Sequence, residues 1–140
     1  MESAVQRALP AGRDRRRWIG WAMSALVVVF LLMDATMKLL ALPVVLEAGG
    51  PLGFAGAQVA RRLGAVLLAC TLLYAAPRTA VFGAILLTGY LGGSVATHVR
   101  VGSPLFTHAL FGVYLGVLLW GGLFLRDAGL RSLIPFRTKR

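Results

Sequence analysis

The stretch TGYLGGSVATHVRVG, residues 88–102, begins in an apolar run, is rich in glycine and ends in polar side chains. Gly89 and Gly93 stand four positions apart, so they place two positions without side chains on one face of a helix. Such a face lets another helix approach closely in a membrane. His98 and Arg100 follow where this helix would leave the hydrocarbon. The stretch therefore predicts a closely packed membrane helix that carries polar groups to one membrane surface.

The composition of the chain also indicates a membrane protein. Of its 140 residues, 58% are hydrophobic and only 14% are charged, whereas a soluble domain carries about a quarter charged residues. The apolar residues come in long blocks, which is typical of membrane spans. The formal net charge of +10 lies mostly at the two ends of the chain, without a nucleic-acid motif. We therefore expect a lipid bilayer, and no nucleic acid, as a partner.

Four apolar segments predict an all-α fold, an antiparallel four-helix transmembrane bundle. The expected spans are residues 18–38, 57–76, 79–97 and 104–125, within a membrane domain 18–126 between basic tails 1–17 and 127–140. The very short turn at Pro77 and Arg78 makes the second and third spans antiparallel neighbours. In the fourth span, Gly112 and Gly116 repeat the small-residue pattern, so we expect this span to pack closely against the third.

The start of the fourth span has its own local signal. Ser103 precedes Pro104 at this boundary. Serine is a favoured N-cap residue, and proline is favoured in the first turn of a helix. The pair therefore predicts a capped α-helix that begins at Pro104.

The distribution of Lys and Arg predicts the orientation of the four spans. The tails and the turn after the second span hold 11 of these residues: Arg7, Arg13, Arg15, Arg16, Arg17, Arg78, Arg126, Arg131, Arg137, Lys139 and Arg140. The opposite side holds four: Lys38, Arg61, Arg62 and Arg100. Because positive loops stay in the cytoplasm, we expect both termini there and a location in the cytoplasmic (inner) membrane.

Several polar residues fall near the outer ends of the predicted spans and form a candidate ligand-binding cluster. Its members are Asp34, Lys38, Arg61, His98, Arg100 and His108. Asp34 and Lys38 are spaced i,i+4 in the order that favours a helical ion pair. Two interpretations of Asp34 stay open, an ion-pair partner of Lys38 or a site carboxylate. The histidines lie outside any HxxxH, ExxH or cysteine motif, so we expect no metal or haem site.

Three motifs together resemble one family. LYAAPRTAVFGA, LLTGYLGGSVATHVRVG and LLWGGLFLRD, with the first-span ending DATMKLL, are similar to the DoxX-like family of small bacterial membrane proteins over about residues 18–135. The resemblance implies a four-helix membrane protein. It also implies a loose link to redox chemistry, since the family name comes from a subunit associated with thiosulfate:quinone oxidoreduction. The single cysteine, Cys70, excludes the paired cysteines that direct disulfide chemistry needs.

Two hypotheses for function follow. In the first, the chain is a redox-associated subunit that binds a quinone or another small amphipathic molecule at the outer mouth of the bundle. In the second, it is a non-catalytic membrane scaffold without a ligand. A membrane redox partner or a second copy of the chain is compatible with both. The sequence leaves open whether the chain has an enzymatic activity.

Overall fold

The computed structural model describes residues 11–133, and the regular structure of this part of the chain is entirely helical. The elements are α1 (Ala11–Leu39), α2 (Pro43–Gly49), α3 (Ala57–Ala75), α4 (Ala80–Arg100), a π-helical segment (Leu105–Ala109), α5 (Phe111–Arg126) and α6 (Ala128–Leu133). Four stretches are long and apolar enough to cross a membrane: Gly12–Leu39, Ala57–Ala75, Ala80–Arg100 and Leu105–Arg126. The predicted all-α fold with four candidate membrane helices is confirmed.

Parts of both predicted tails are helical. Residues 11–17 form the first turns of α1, because arginine is a good helix former and Asp14 places negative charge in the first turn. At the other end, α6 follows the fourth span directly. The remaining tail residues, 1–10 and 134–140, lie outside the described part of the chain, and so do Arg7, Arg137, Lys139 and Arg140.

The four long helices share one core. α1 packs against α3 and α5, and α4 packs against the same two helices. The fully buried side chains at the centre are Val27 and Leu31 from α1, Leu67 from α3, Leu87 from α4 and Leu119 from α5. Large apolar side chains also cover the outward faces, as contact with lipid requires. Since lipid is as apolar as this core, close packing must hold the helices together.

The closest approach of α1 and α5 involves three small residues. A Cβ atom at Gly20 would lie 2.8 Å from the backbone oxygen of Gly122. One at Gly122 would lie 2.7 Å from Ser24 Oγ and 3.0 Å from the backbone oxygen of Gly20. Ordinary contacts of a Cβ atom begin near 3.4 Å. The two backbones therefore touch only because both positions are glycine.

A similar close contact joins α4 and α5. A Cβ atom at Gly112 would lie 3.0 Å from the backbone oxygen of Leu91 and 2.9 Å from Val95 Cγ2. At Gly89, Gly93 and Gly116, by contrast, an added Cβ atom would meet no heavy atom within 4 Å. The prediction of close helix packing was wrong for these three glycines. A four-residue spacing marks a face without side chains, but it does not say whether another helix lies against that face.

One buried polar contact ties three helices together. The Tyr74 hydroxyl in α3 donates a hydrogen bond to the carbonyl oxygen of Leu119 in α5, at 2.8 Å. Ser24 Oγ in α1 lies 2.9 Å from the same hydroxyl oxygen. Because a tyrosine hydroxyl has a single proton, Ser24 donates to Tyr74. The two side chains and the Leu119 carbonyl thereby fix the relative depth of α1, α3 and α5.

Candidate functional site

A cavity of about 950 Å³ lies between α1, α2, α3, α4, the π-helical segment and α5. We call it the histidine cavity, because His98 and His108 both line it. Most of its wall is apolar and includes Phe30, Leu31, Met37, Val44, Val45, Leu52, Phe54, Leu63, Leu91, Phe111 and Leu115. Its polar lining consists of Asp34, Lys38, Tyr90, Ser94, Thr97, His98, Ser103 and His108. An apolar cavity of this size with a few convergent polar groups has the usual composition of a small-molecule site.

The two histidine rings face each other across a chain reversal. His98 lies in the last turn of α4 and His108 in the π-helical segment, and their ring centroids are 6.0 Å apart. Nδ1 of His98 shares a hydrogen bond with Ser103 Oγ at 3.0 Å, and Nδ1 of His108 shares one with Thr107 Oγ1 at 2.7 Å. These bonds orient both rings and leave each Nε2 without a partner among the described residues.

The predicted capped α-helix at the start of the fourth span is not what the structure shows at this chain reversal. Ser103 does not cap a helix, since its hydroxyl is bound to His98. The residues after Pro104 form a π-helical segment, and an α-helix begins only at Phe111. Short π-helical segments are rare in proteins, and those that occur often lie at functional sites. Here the segment places His108 beside the end of α4.

Asp34 and Lys38 form an ion pair on α1, as their spacing predicted. Both also line the histidine cavity, and their side chains are 32% and 20% exposed, respectively. The pair therefore lies at the cavity wall and is partly shielded from solvent. A charged pair in this position can act both as a helix-end ion pair and as the polar edge of a ligand site.

The structure separates two of the predicted ligand residues from the cavity. Arg61 is exposed on α3 and does not line the cavity. Arg100 donates from Nη2 to the carbonyl oxygen of Leu52 at 2.9 Å, so it ties the end of α4 to the segment after α2. Of the six predicted ligand residues, the cavity brings together Asp34, Lys38, His98 and His108.

Other parts of the lining were absent from the sequence prediction. Tyr90 lines the cavity, and its hydroxyl has no hydrogen-bond partner among residues 11–133. Gly89 and Gly93, expected at a helix contact, line the same cavity. α2 adds Val44 and Val45 after starting at Pro43, a favoured first-turn residue. The sequence carried a signal for Tyr90, because this residue lies between Gly89 and Gly93 in the glycine-rich stretch 88–102.

Within the described residues, no group of three or more His, Cys, Asp or Glu side chains is arranged to hold a metal ion. The polar groups of the cavity are instead hydrogen-bond donors and acceptors around an apolar space. Such an arrangement can orient the polar end of a small molecule while its apolar part contacts the wall.

Comparison with known proteins identifies the family. The family model described as the DoxX-like family matches residues 22–122. This range holds all of α3 and α4, most of α1 and α5, and every side chain discussed for the histidine cavity. No curated protein and no solved structure matches the chain significantly. The chain belongs to the DoxX-like family and is a multi-pass membrane protein.

Proposed function

We propose that this member of the DoxX-like family is a redox-associated membrane subunit that binds a quinone, or another small amphipathic molecule, in the histidine cavity. The observation that supports the proposal is the cavity itself, about 950 Å³ of mostly apolar space that ends in His98 and His108. A quinone has an apolar tail and a head with two carbonyl oxygens. The cavity offers matching chemistry, with an apolar wall and several possible hydrogen-bond donors.

The head of such a ligand would lie among four side chains. Lys38 and the Nε2 atoms of His98 and His108 can donate hydrogen bonds to carbonyl oxygens, and so can the Tyr90 hydroxyl. The ion pair with Asp34 holds Lys38 at the wall. The tail would contact the aromatic and aliphatic side chains contributed by α1, α2 and α5. In this proposal the chain binds and orients the ligand, and a partner subunit supplies the electrons.

We also propose that the four long helices form an antiparallel bundle with both termini in the cytoplasm of a bacterial inner membrane. The contacts of α1 support the antiparallel order. Ser24 bonds to Tyr74 near the end of α3, whereas a Cβ atom at Gly64, nearer the start of α3, would meet Lys38. The orientation rests on the excess of Lys and Arg at the termini. The histidine cavity would then lie toward the outer surface.

A block of the cavity tests the ligand site. In Gly93→Leu, the new side chain has open space at its Cβ position and would project into the cavity. Gly116→Leu is the matched control, because its Cβ position is equally free but it does not line the cavity. Both variants and the wild type are reconstituted with a short-chain quinone, and the quinone retained after washing is measured by its ultraviolet absorbance.

The expected result is retention by the wild type and by Gly116→Leu, and loss by Gly93→Leu with its thermal stability unchanged. Equal retention by all three proteins would contradict the proposed site. An absence of quinone in the wild type, together with full stability and a co-purifying partner protein, would support the scaffold hypothesis instead.

A further inference from the structure

A second cleft lies at the opposite end of the long helices, where α1 begins and α5 ends. Its volume is about 1010 Å³. We call it the arginine cleft, because five arginines line it: Arg13, Arg16, Arg17, Arg126 and Arg131. Two acids, Asp14 and Asp127, also line it, so its side chains carry a net positive charge. The proposed quinone site makes no use of this cleft.

The arginines of this cleft have no acidic partner among residues 11–133. Residues 11–133 contain one salt bridge, between Lys38 and Asp34, and it lies at the other end of the helices. The carboxylate of Asp127 instead accepts hydrogen bonds from the backbone nitrogens of Gly129 at 2.8 Å and Leu130 at 3.2 Å. The positive charge of the cleft is therefore not neutralised within the described part of the chain.

Arg126 is held in place but is incompletely hydrogen-bonded. Its guanidinium carbon lies 4.4 Å from the ring centroid of Trp21 and 5.2 Å from that of Tyr74. Its Nη2 atom has one long contact, 3.5 Å, to the carbonyl oxygen of Tyr74. Nε is buried and has no hydrogen-bond partner in the described residues. A buried, unpaired donor on a charged group is costly, so the cleft favours an acceptor here.

Arg131 is also positioned by the fold. Its Nη1 atom donates to the carbonyl oxygens of Phe124 at 3.2 Å and Leu125 at 2.7 Å, at the end of α5. These bonds use one of its terminal nitrogens and keep the guanidinium beside the cleft. Two anchored guanidinium groups and three more arginines on α1 match the several oxygens of a phosphate group, which arginine binds through paired hydrogen bonds.

We propose that the arginine cleft binds a phosphate-bearing anion, namely the headgroup of an anionic membrane lipid. Arg126 is the last residue of the fourth candidate span, so it lies at the level of lipid headgroups. Leu123, Ala80 and Pro77 add apolar surface to the same cleft, which suits the glycerol end of a lipid. Basic pockets between membrane helices are known to bind anionic headgroups.

The test compares two pairs of exposed arginines. Arg16→Gln/Arg17→Gln removes two charges from the cleft, and Arg61→Gln/Arg62→Gln removes two from the opposite end of the helices. Arg126→Lys keeps the charge but loses the paired donors of the guanidinium. Each full-length protein is placed in phosphatidylcholine nanodiscs with or without phosphatidylglycerol. The protein is then released from the nanodiscs in the mass spectrometer, and the lipid molecules that stay bound to it are counted by native mass spectrometry. A separate arm titrates inorganic phosphate into protein in neutral detergent.

We expect retained phosphatidylglycerol on the wild type and on the Arg61/Arg62 variant. The Arg16/Arg17 variant should bind it about 30-fold more weakly, since each basic group near an anionic surface contributes about fivefold. Arg126→Lys should also weaken retention, because lysine keeps the charge but cannot make paired hydrogen bonds to a phosphate group. Saturable binding of inorganic phosphate that needs Arg126, without retained lipid, would overturn the lipid assignment. Equal loss in both double variants, or no loss in either, would overturn the cleft as an anion site.

Discussion

Gly122→Ala is the sharpest test of how α1 and α5 are joined. The added Cβ atom would lie 2.7 Å from Ser24 Oγ, and 3.0 Å from both the backbone nitrogen of Ser24 and the backbone oxygen of Gly20. The serine side chain can rotate away only by giving up its buried hydrogen bond to Tyr74. The two backbone atoms can move only if the helices separate, and that separation would also loosen the contact at Gly20.

The expected change in the free energy of unfolding combines two opposing contributions. Forcing an extra methyl group into a tightly packed contact costs about 1–3 kcal/mol. Replacing glycine by alanine inside a helix stabilises the helix by about 1 kcal/mol, because alanine has the higher helix propensity. Gly122→Ala should therefore lower the free energy of unfolding by up to about 2 kcal/mol. Gly116→Ala, on the same helix but with no atom near its Cβ position, should raise it by about 1 kcal/mol.

Reversible unfolding in mixed micelles, followed by circular dichroism, measures both free energies under one condition. The two substitutions are chemically identical and lie within one helix, so helix propensity cancels in their difference. We expect that difference to be about 1–3 kcal/mol. If Gly122→Ala and Gly116→Ala had the same effect, the close contact of α1 with α5 would not contribute to stability.

Three further predictions concern the core, the cavity and the orientation. Tyr74→Phe should destabilise the protein by about 1 kcal/mol in the same unfolding assay, because Ser24 loses its buried acceptor; an unchanged free energy of unfolding would refute this. Asp34→Asn should reduce quinone retention and leave membrane insertion intact; loss of stability with full retention would make it an ion-pair partner only. Reporter fusions should give an external signal at Gly50 and a cytoplasmic signal after the last residue, and reversed signals would contradict the proposed topology.

The number and approximate placement of the four candidate membrane helices could be predicted from hydropathy, because apolar length is a property of the sequence alone. The ion pair of Asp34 and Lys38 was also predictable, since both residues lie on one helix and their spacing fixes the geometry. The start of α1 was not predictable in the same way. Arginine-rich residues 11–17 were assigned to a tail on the basis of charge, although their helix propensity is high.

The site was only partly predictable, because its geometry depends on how the helices are arranged. His98, His108, Asp34 and Lys38 were grouped by their expected depth, and the structure places all four at one cavity. The depth of a residue in the membrane does not determine which side of its helix faces the cavity. Arg61 has a suitable depth but points away from the cavity, and the sequence offers no periodic signal that would reveal this.

The glycines of this chain do two different things, and the difference helps to explain where the histidine cavity lies. Near the start of α1, Gly20 and Gly122 bring two backbones into contact. Toward the end of α4, Gly89 and Gly93 have open space beside them and line the cavity. The absence of side chains lets α1 and α5 touch at Gly20 and Gly122, and it leaves open volume beside Gly89 and Gly93. The π-helical segment borders that volume and carries His108 into its lining. Gly89 and Gly93 of the motif GYLGG are thus better explained as part of the wall of the histidine cavity than as a helix contact. If the cavity holds the proposed ligand, a side chain introduced at either glycine should change binding before it changes stability.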